Sequence, residues 1–591
     1  MSFHKLQAIL LVATAMILAT WAEETIIANT MEGKISGIKE EAAGGRTFFS
    51  FYSIPFAQPP IGKLRFKDPL PAEPWEGVKN GSSNAPACPQ MDFMNPTELM
   101  GDEDCLYLNV FTPQLAEGAG DGLPVMVYIH GGAFFGGFAA IYRPHILLDQ
   151  DIVLVTIQYR VGTLGFLSTE DEVIPGNFGL KDQSLALRWV QRNIRNFGGD
   201  PSQVTVFGLS AGGASVHYQI LSPHSEGLFK RAIMQSGSAL CPWAMGGAFK
   251  DVAHYTGSLA GCPTSDSQLL LECLQNADKN LVVSIVWKLM AFHINPMILG
   301  PRVDKDFVPD NPYRLVKEGR HQHVDVISGV TSHEGSLFSK GIYKSEEILE
   351  DFNKNFAVKG PLILEFREGD VDLAAVSERI FQHYAGTTHV TLSHAESVNE
   401  MLSDRHFVLP HDITTKYLVR HGSSINVYAY NFAYRGEHTL MSITPSLVND
   451  RPWVGHGDDM LYHFPGFLTS PVMSPDDLKI RNLMVKLWIN FATTGNPTPD
   501  DSLGFTWDPT TQETRHHRLN INKDIAMEEK NREEVFDFWA TLPMLENVIL
   551  HPEKVSDLGR YWLELANQRA QPWVGPGDET PRKPTKHRDE L

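Results

Sequence analysis

The stretch VTVFGLSAGGASVHYQIL, Val204–Leu221, decides how this chain is read. Val204, Thr205, Val206 and Phe207 are β-branched or aromatic, the composition of a short buried strand. Ala211, Gly212 and Gly213 then open a helical run. Between the two, Gly208-Leu209-Ser210-Ala211-Gly212 is a G-x-S-x-G sequence at a strand-to-helix turn, an arrangement that strains a serine outward and leaves backbone N–H groups beside it. A serine between glycines is also an ordinary loop residue or helix cap, so Ser210 reads as a nucleophile only if partners exist elsewhere.

Working outward, the runs VMVYIHGG, IVLVTIQYR, VTVFGLS, AIMQSGS, VDVISGVTS and INVYAYNF alternate with helical stretches, which predicts an α/β fold with a mainly parallel sheet covered on both faces. One covering helix is predicted in GLKDQSLALRWVQRNIRNFGG, where Leu187, Val190, Ile194 and Phe197 recur near helical spacing before Gly198-Gly199. Another starts at Ser474-Pro475-Asp476-Asp477, an N-cap followed by proline and acidic residues, and stops at Gly495. No internal repeat or long low-complexity linker divides the chain.

The 591 residues carry 50 basic and 70 acidic side chains, a formal net charge of −20, with no cluster of lysine or arginine. That balance argues against nucleic acid and anionic membrane surfaces as partners. Residues 1–22 have a basic start at Lys5, an apolar run from Ala8 to about Leu18 and a small residue, Ala22, which together predict a cleaved secretory signal. A retained anchor would need ~20 apolar residues, more than this run offers. Residues 23–574 then form one α/β domain, and 575–591, rich in Pro, Lys, Arg, Asp and Glu, an unstructured tail. The tail ends Arg588-Asp589-Glu590-Leu591, similar to the addresses read by endoplasmic-reticulum retention receptors, so the lumen of that compartment is the expected location and secretion the alternative. Asn80-Gly81-Ser82 is an N-glycosylation acceptor, whereas Asn496-Pro497-Thr498 is excluded by its proline. Five cysteines on that route suggest two bridges and one remaining thiol, with connectivity not fixed by spacing.

A serine hydroxyl needs a base within hydrogen-bond reach and an acid to orient the base. In the G-x-S-x-G architecture these follow in the order serine, acid, histidine. Glu334, in Thr331-Ser332-His333-Glu334-Gly335, lies just past a strand end, where open α/β sheets place their sites. His456 lies between glycines in WVGHGDDMLYHF, a loop able to present an imidazole. His333 adjoins the acid and is expected to point elsewhere; His463 lies in an aromatic stretch that reads as core. Asp458 and Asp459 are rival acids that break the expected order. IHGGAFFGG, directly after a strand, offers Gly132 and Ala133 as oxyanion donors together with Ala211. Neither phosphate-binding glycine patterns nor metal-ligand spacings occur, so no metal is expected.

These residues resemble the type-B carboxylesterase/lipase family, and in wording the arthropod carboxylesterases. The likeness runs from GKISGI and FYSIPFAQPPIGKLRFKDP to LWINFATTGNPTP, and is most specific in EDCLYLNVFTP and FGGDPSQVTVFGLSAGG. The resemblance implies an α/β-hydrolase fold, a triad at Ser210, Glu334 and His456, oxyanion donors at Gly132, Ala133 and Ala211, bridges Cys88–Cys105 and Cys262–Cys273 with Cys241 unpaired, and no cofactor. It implies a small-molecule ester as partner, turned over in xenobiotic, lipid, hormone or odorant metabolism. Two departures bear on the substrate. The residue before the nucleophile is often glutamate in the family, or glutamine in juvenile hormone esterases, and here is Leu209. The tryptophan that holds quaternary ammonium in cholinesterases has no counterpart between Cys88 and Cys105. Both point to a neutral, apolar ester. A lipase acting on acylglycerols, a juvenile-hormone-type esterase and a non-catalytic binding protein of the same fold are the competing expectations.

Overall fold

A computed structural model describes residues 26–92, 98–116, 120–366, 370, 372–421, 425–464 and 473–555. The expected signal at 1–22 and the tail at 575–591 lie outside the described residues. The strands are β1 (Ile26–Asn29), β2 (Lys34–Glu41), β3 (Thr47–Pro55), β4 (Val78–Asn80), a small ribbon of β5 (Gln90–Met91) and β6 (Leu99–Met100), β7 (Tyr107–Thr112), β8 (Leu123–Ile129), β9 (Val153–Ile157), β10 (Gly199–Leu209), β11 (Arg231–Gln235), β12 (Asp325–Thr331), β13 (Val427–Phe432), β14 (His517–Ile521) and β15 (Ala526–Glu529). Among the described residues the main sheet runs β1-β2-β3-β7-β9-β8-β10-β11-β12-β13-β14-β15, with β4 beside β2. From β9 through β14 every neighbour is parallel. Antiparallel strands flank that block on both sides.

The six predicted runs are β8 to β13, and the sheet is mixed around a parallel centre, as the α/β expectation holds. Side chains alternate across it with period two. Val125, Val127 and Ile129 of β8 enter one core, with Leu187, Trp189 and Val190 of the helix Phe178–Asn193. Met126 and Tyr128 enter the other, with Ile480, Met484, Leu487, Trp488 and Phe491 of the helix Pro475–Thr494. A fully buried side chain of this size is worth ~1.5–3 kcal/mol, so the two helices fix the centre of the sheet from both faces. Both predicted stops are present: Gly198 has φ 80° and Gly495 φ 82°. The Ser474 hydroxyl and the Asp477 carboxylate close a reciprocal capping box at the helix start.

The antiparallel strands β1–β3 and β7 were not among the predicted runs. A third apolar cluster gathers Phe134, Ala211, Ala214, Trp243, Val330, Phe338 and Phe407. Its helices are carried by the long connections after β11 and β12 and pack where β10 and β12 end. The expected bridges Cys88–Cys105 and Cys262–Cys273 are present, with Cα atoms 5.0 and 5.7 Å apart, and Cys241 is a buried thiol whose sulfur accepts the Ser238 N–H. Among the described residues no helix is long and apolar enough to cross a membrane.

Candidate active site

β10 ends at Leu209 and a helix begins at Ala211, so Ser210 makes the whole turn alone, at φ 60° and ψ −124°. An L residue there is strained by about 1–3 kcal/mol. Close approach explains the flanking glycine: a Cβ on Gly212 would lie 2.1 Å from the Ile129 carbonyl oxygen. The turn is fastened to β11, because the Ser210 N–H donates to the Gln235 carbonyl at 2.8 Å. Its hydroxyl therefore caps nothing, and no side-chain cap bond is made.

Glu334 follows β12 and is fully buried. Such a carboxylate is tolerated only when its oxygens are satisfied. Its Oε1 accepts the Thr331 N–H at 2.7 Å and the Ser236 hydroxyl, and its Oε2 faces His456 Nδ1 at 2.6 Å. The imidazole is nearly buried, its side chain 10 % exposed, and Phe407 packs against it with ring centroids 4.7 Å apart. Residues 333 and 455 pair as an isolated parallel bridge, which holds the acid and histidine segments side by side. The histidine loop also reaches the serine turn: a Cβ on Gly457 would lie 3.1 Å from Leu209 Cδ2. Ser236 joins the two halves, since Gly237 after it packs on the Ser210 carbonyl, its Cβ position 2.1 Å away.

The third component is the loop after β8. Gly132 adopts φ 115° and Ala133 φ 52°. A Cβ on Gly131 would lie 3.3 Å from Ser210 Cβ, so this loop flanks the serine. Among the described residues no acceptor takes the N–H of Gly132 or Ala133, and Ala211, as the first residue of its helix, has no intrahelical acceptor. Three unspent donors beside a strained serine suit a developing oxyanion. Two residues that sequence reasoning missed brace the loop. His130 is buried, which pulls it down to about 4; it stacks on Tyr159 at 4.2 Å and its Nδ1 bonds the Gly131 carbonyl at 2.9 Å. Gln90, inside the Cys88–Cys105 loop, accepts the Gly137 N–H at 2.7 Å and donates to the Gly137 carbonyl at 2.9 Å. A histidine or glutamine in such a position carries no sequence signal, because the partner is set by tertiary packing.

The decoys occupy other places. His333 Nδ1 accepts the Val454 N–H at 3.1 Å, and His463 is buried beside Trp488, which pulls it down to about 4. Asp459 accepts from Gln235 and Tyr430, and burial pushes its carboxyl up. Asp458 bonds Thr439, Leu440 and Gly455. The wall near His456 is aromatic. Trp243 and Phe407 lie 5.6 Å apart, the Trp243 N–H donates to the His406 carbonyl at 3.1 Å, and Phe407 lies on a single π-helical turn, Asp404–Val408. Leu209 packs in the cluster on the other face of the sheet, with Cδ2 against the Gly457 backbone of the histidine loop. Among the described residues no group of acidic, cysteine or histidine side chains could hold a metal ion.

A doubly covered mixed sheet with a strained serine at the strand-to-helix turn, a buried acid–histidine pair and a glycine loop of free donors defines an α/β-hydrolase. The chain belongs to the Carboxylesterase family, which matches residues 24–539, and is a hydrolase acting on carboxylic esters. It is 33% identical over 560 residues to a carboxylic ester hydrolase of Bombus ignitus, covering 92% of this chain and 99% of that one. It is 36% identical to juvenile hormone esterase of Tribolium castaneum, covering 80% of this chain and 84% of that one. To pyrethroid hydrolase Ces2a of Mus musculus it is 34% identical, covering 88% and 91%.

Proposed function

We propose that Ser210, His456 and Glu334 act as nucleophile, base and orienting acid on neutral, apolar carboxylic esters. His456 takes the hydroxyl proton as Ser210 Oγ attacks the ester carbonyl carbon. The oxyanion that forms is received by the N–H groups of Gly132, Ala133 and Ala211. Collapse expels the alcohol, which regains the proton from His456, and leaves an acyl-enzyme on Ser210. Water, deprotonated by the same imidazole, then releases the acid. Glu334 holds the imidazole through Nδ1 and stabilises its charge. The observation that carries this reading is the 2.6 Å bond between Glu334 and His456 in loops packed on the Ser210 turn.

Trp243 and Phe407 beside His456, and the uncharged Leu209 before Ser210, support an apolar substrate without positive charge. The esters named for the insect and mouse relatives, juvenile hormone and pyrethroids, fit that class. The test is hydrolysis of p-nitrophenyl esters from acetate to palmitate by the wild type and Ser210→Ala in parallel. Turnover of the shorter esters that vanishes in the variant is the expected result. Rates that jump only above the solubility limit of the longest esters would favour the lipase reading, and inert wild type the binding protein.

The location follows from residues 1–22 and 575–591, which we read as a cleaved signal and a retention address for an endoplasmic-reticulum receptor, flanking one domain at 23–574. Asn80 is exposed on β4, so it is open to glycosylation. A resident protein carries only high-mannose glycan there, cleaved by endoglycosidase H; resistant glycan would indicate secretion.

A further inference from the structure

Two carboxylates follow the histidine, and the chemistry above uses neither. Asp458 is 4 % exposed and ringed by donors from two separate segments. Its Oδ2 accepts the Gly455 N–H at 2.8 Å and the Thr439 hydroxyl at 2.7 Å; its Oδ1 accepts the Leu440 N–H at 2.8 Å. In return the Asp458 N–H donates to the Gly455 carbonyl at 3.1 Å. Residues 455–458 are thus closed by one backbone bond and one side-chain bond, with His456 inside the ring.

The second segment is itself tied down. Lys340, buried on the helix Ser336–Ile342, donates to the carbonyls of Met441 and, at 2.6 Å, Thr444. That helix begins two residues beyond Glu334. There is no slack between the parts: a Cβ on Gly455 would lie 2.5 Å from Met441 Cγ and 3.0 Å from Ser336 Oγ. The chain therefore runs from the acid's helix through Lys340 to the 439–444 turn, and through Asp458 to the histidine loop.

We infer that Asp458 is a positioning residue for His456, with Thr439 and Lys340 as its supports. The inference rests on the proposed role of His456 as base. Glu334 contacts the imidazole at one atom, which sets the tautomer, and Phe407 packs on the ring, but neither fixes the backbone from which the ring hangs. His456 has glycine on both sides, so its own backbone resists little. The backbone that carries the ring is held on one side by the 333–455 bridge and the His456 N–H, which donates to Ser336 Oγ at 3.4 Å, and Asp458 adds the restraint on the other side. Displacing a reacting group by ~1 Å costs about 10² in rate, which makes such a restraint worth building.

The test uses the full-length secreted or retained enzyme with Asp458→Asn, Thr439→Val, Thr439→Ser and Lys340→Met, beside Ser210→Ala and His456→Ala. In Asp458→Asn one carboxylate oxygen becomes an NH₂, so the side chain can accept the Gly455 N–H or the Leu440 N–H but not both, and one tie is lost. The expected result on p-nitrophenyl butyrate is a kcat lower by about 10–100-fold with KM within twofold. Phosphorylation of Ser210 by diethyl p-nitrophenyl phosphate, which needs the same base, falls by the same factor. Thr439→Val and Lys340→Met fall in the same direction, and Thr439→Ser, which keeps the hydroxyl, recovers most of the rate. Wild-type kcat in a folded Asp458→Asn, with Ser210→Ala and His456→Ala inert, overturns the positioning role alone. Full activity in Ser210→Ala or His456→Ala overturns the triad on which it rests. Should Asp458→Asn not fold, Thr439→Val and Lys340→Met decide: unchanged kcat in both refutes the inference.

Discussion

Replacing Glu334 by glutamine removes one charge and almost no volume, and the structure dictates how the amide must lie. Oε1 is approached by the Thr331 N–H at 2.7 Å, a group that can only donate. The amide oxygen has to take that place, since an NH₂ there would leave two buried donors facing each other at a cost of about 1–3 kcal/mol. The NH₂ is thereby turned toward His456 Nδ1, where Oε2 stood at 2.6 Å. Nδ1 must then accept, which puts the ring proton on Nε2 and leaves no lone pair to take the Ser210 proton. The equivalent acid-to-amide change in a serine protease triad lowers kcat by about 10⁴. The same loss here, about 5.4 kcal/mol in barrier, is the expected outcome. Steady-state kinetics on p-nitrophenyl butyrate at neutral pH measures it, with thermal unfolding as the folding control. A folded Glu334→Gln that keeps more than a tenth of the wild-type kcat refutes the tautomer argument and the role of Glu334 with it.

Three further outcomes are expected. Burial pulls His217 down to about 3, against 6.5 for a free imidazole, so the unfolded chain takes up a proton that the folded chain refuses. Its contribution is present above 6.5 and is lost as pH falls toward 3, about 2 kcal/mol of it between pH 7 and pH 5. His217→Asn keeps an acceptor for the Ala239 N–H and removes the titration; urea unfolding at those two pH values should show a fall smaller by about that amount, and equal falls would refute it. Gly212→Ala drives a methyl group to 2.1 Å from the Ile129 oxygen and should destabilise by at least about 3 kcal/mol, read as a lower unfolding midpoint. Removing the Cys88–Cys105 bridge, which spans 17 residues, should cost about 3 kcal/mol in denaturant unfolding and also lower kcat, because Gln90 within that loop braces Gly137.

What the sequence disclosed was local. The strand-to-helix turn at Ser210, the six central strands and the stops at Gly198 and Gly495 are each written within a few neighbouring residues. Glu334 and His456, 122 residues apart, were reached from chain order and loop context, and the structure joins them by a hydrogen bond. The outer strands β1 and β2 are half exposed and lack the dense apolar runs of the centre, whereas β3, TFFSFYSIP, with Phe48, Phe51 and Ile54 buried, carries such a run and was legible. Other features depend on contacts between distant segments and leave no local pattern. Ser236 on Glu334 spans 98 positions, Lys340 on Met441 spans 101, and Gln90 on Gly137 spans 47. Asp458 illustrates the limit well: its place in the chain marked it as a rejected acid, and only its partners at 439 and 440 show what it holds.

The most direct test of the central claim is to trap the intermediate. Acid quenching during turnover of p-nitrophenyl acetate, followed by peptide mass spectrometry, should find one acetyl group on the peptide carrying Ser210, with a matching burst of one p-nitrophenol per chain. In Ser210→Ala both should vanish, along with turnover by a factor of about 10⁶. An acetyl group on another residue, or a burst that survives the substitution, would contradict the account.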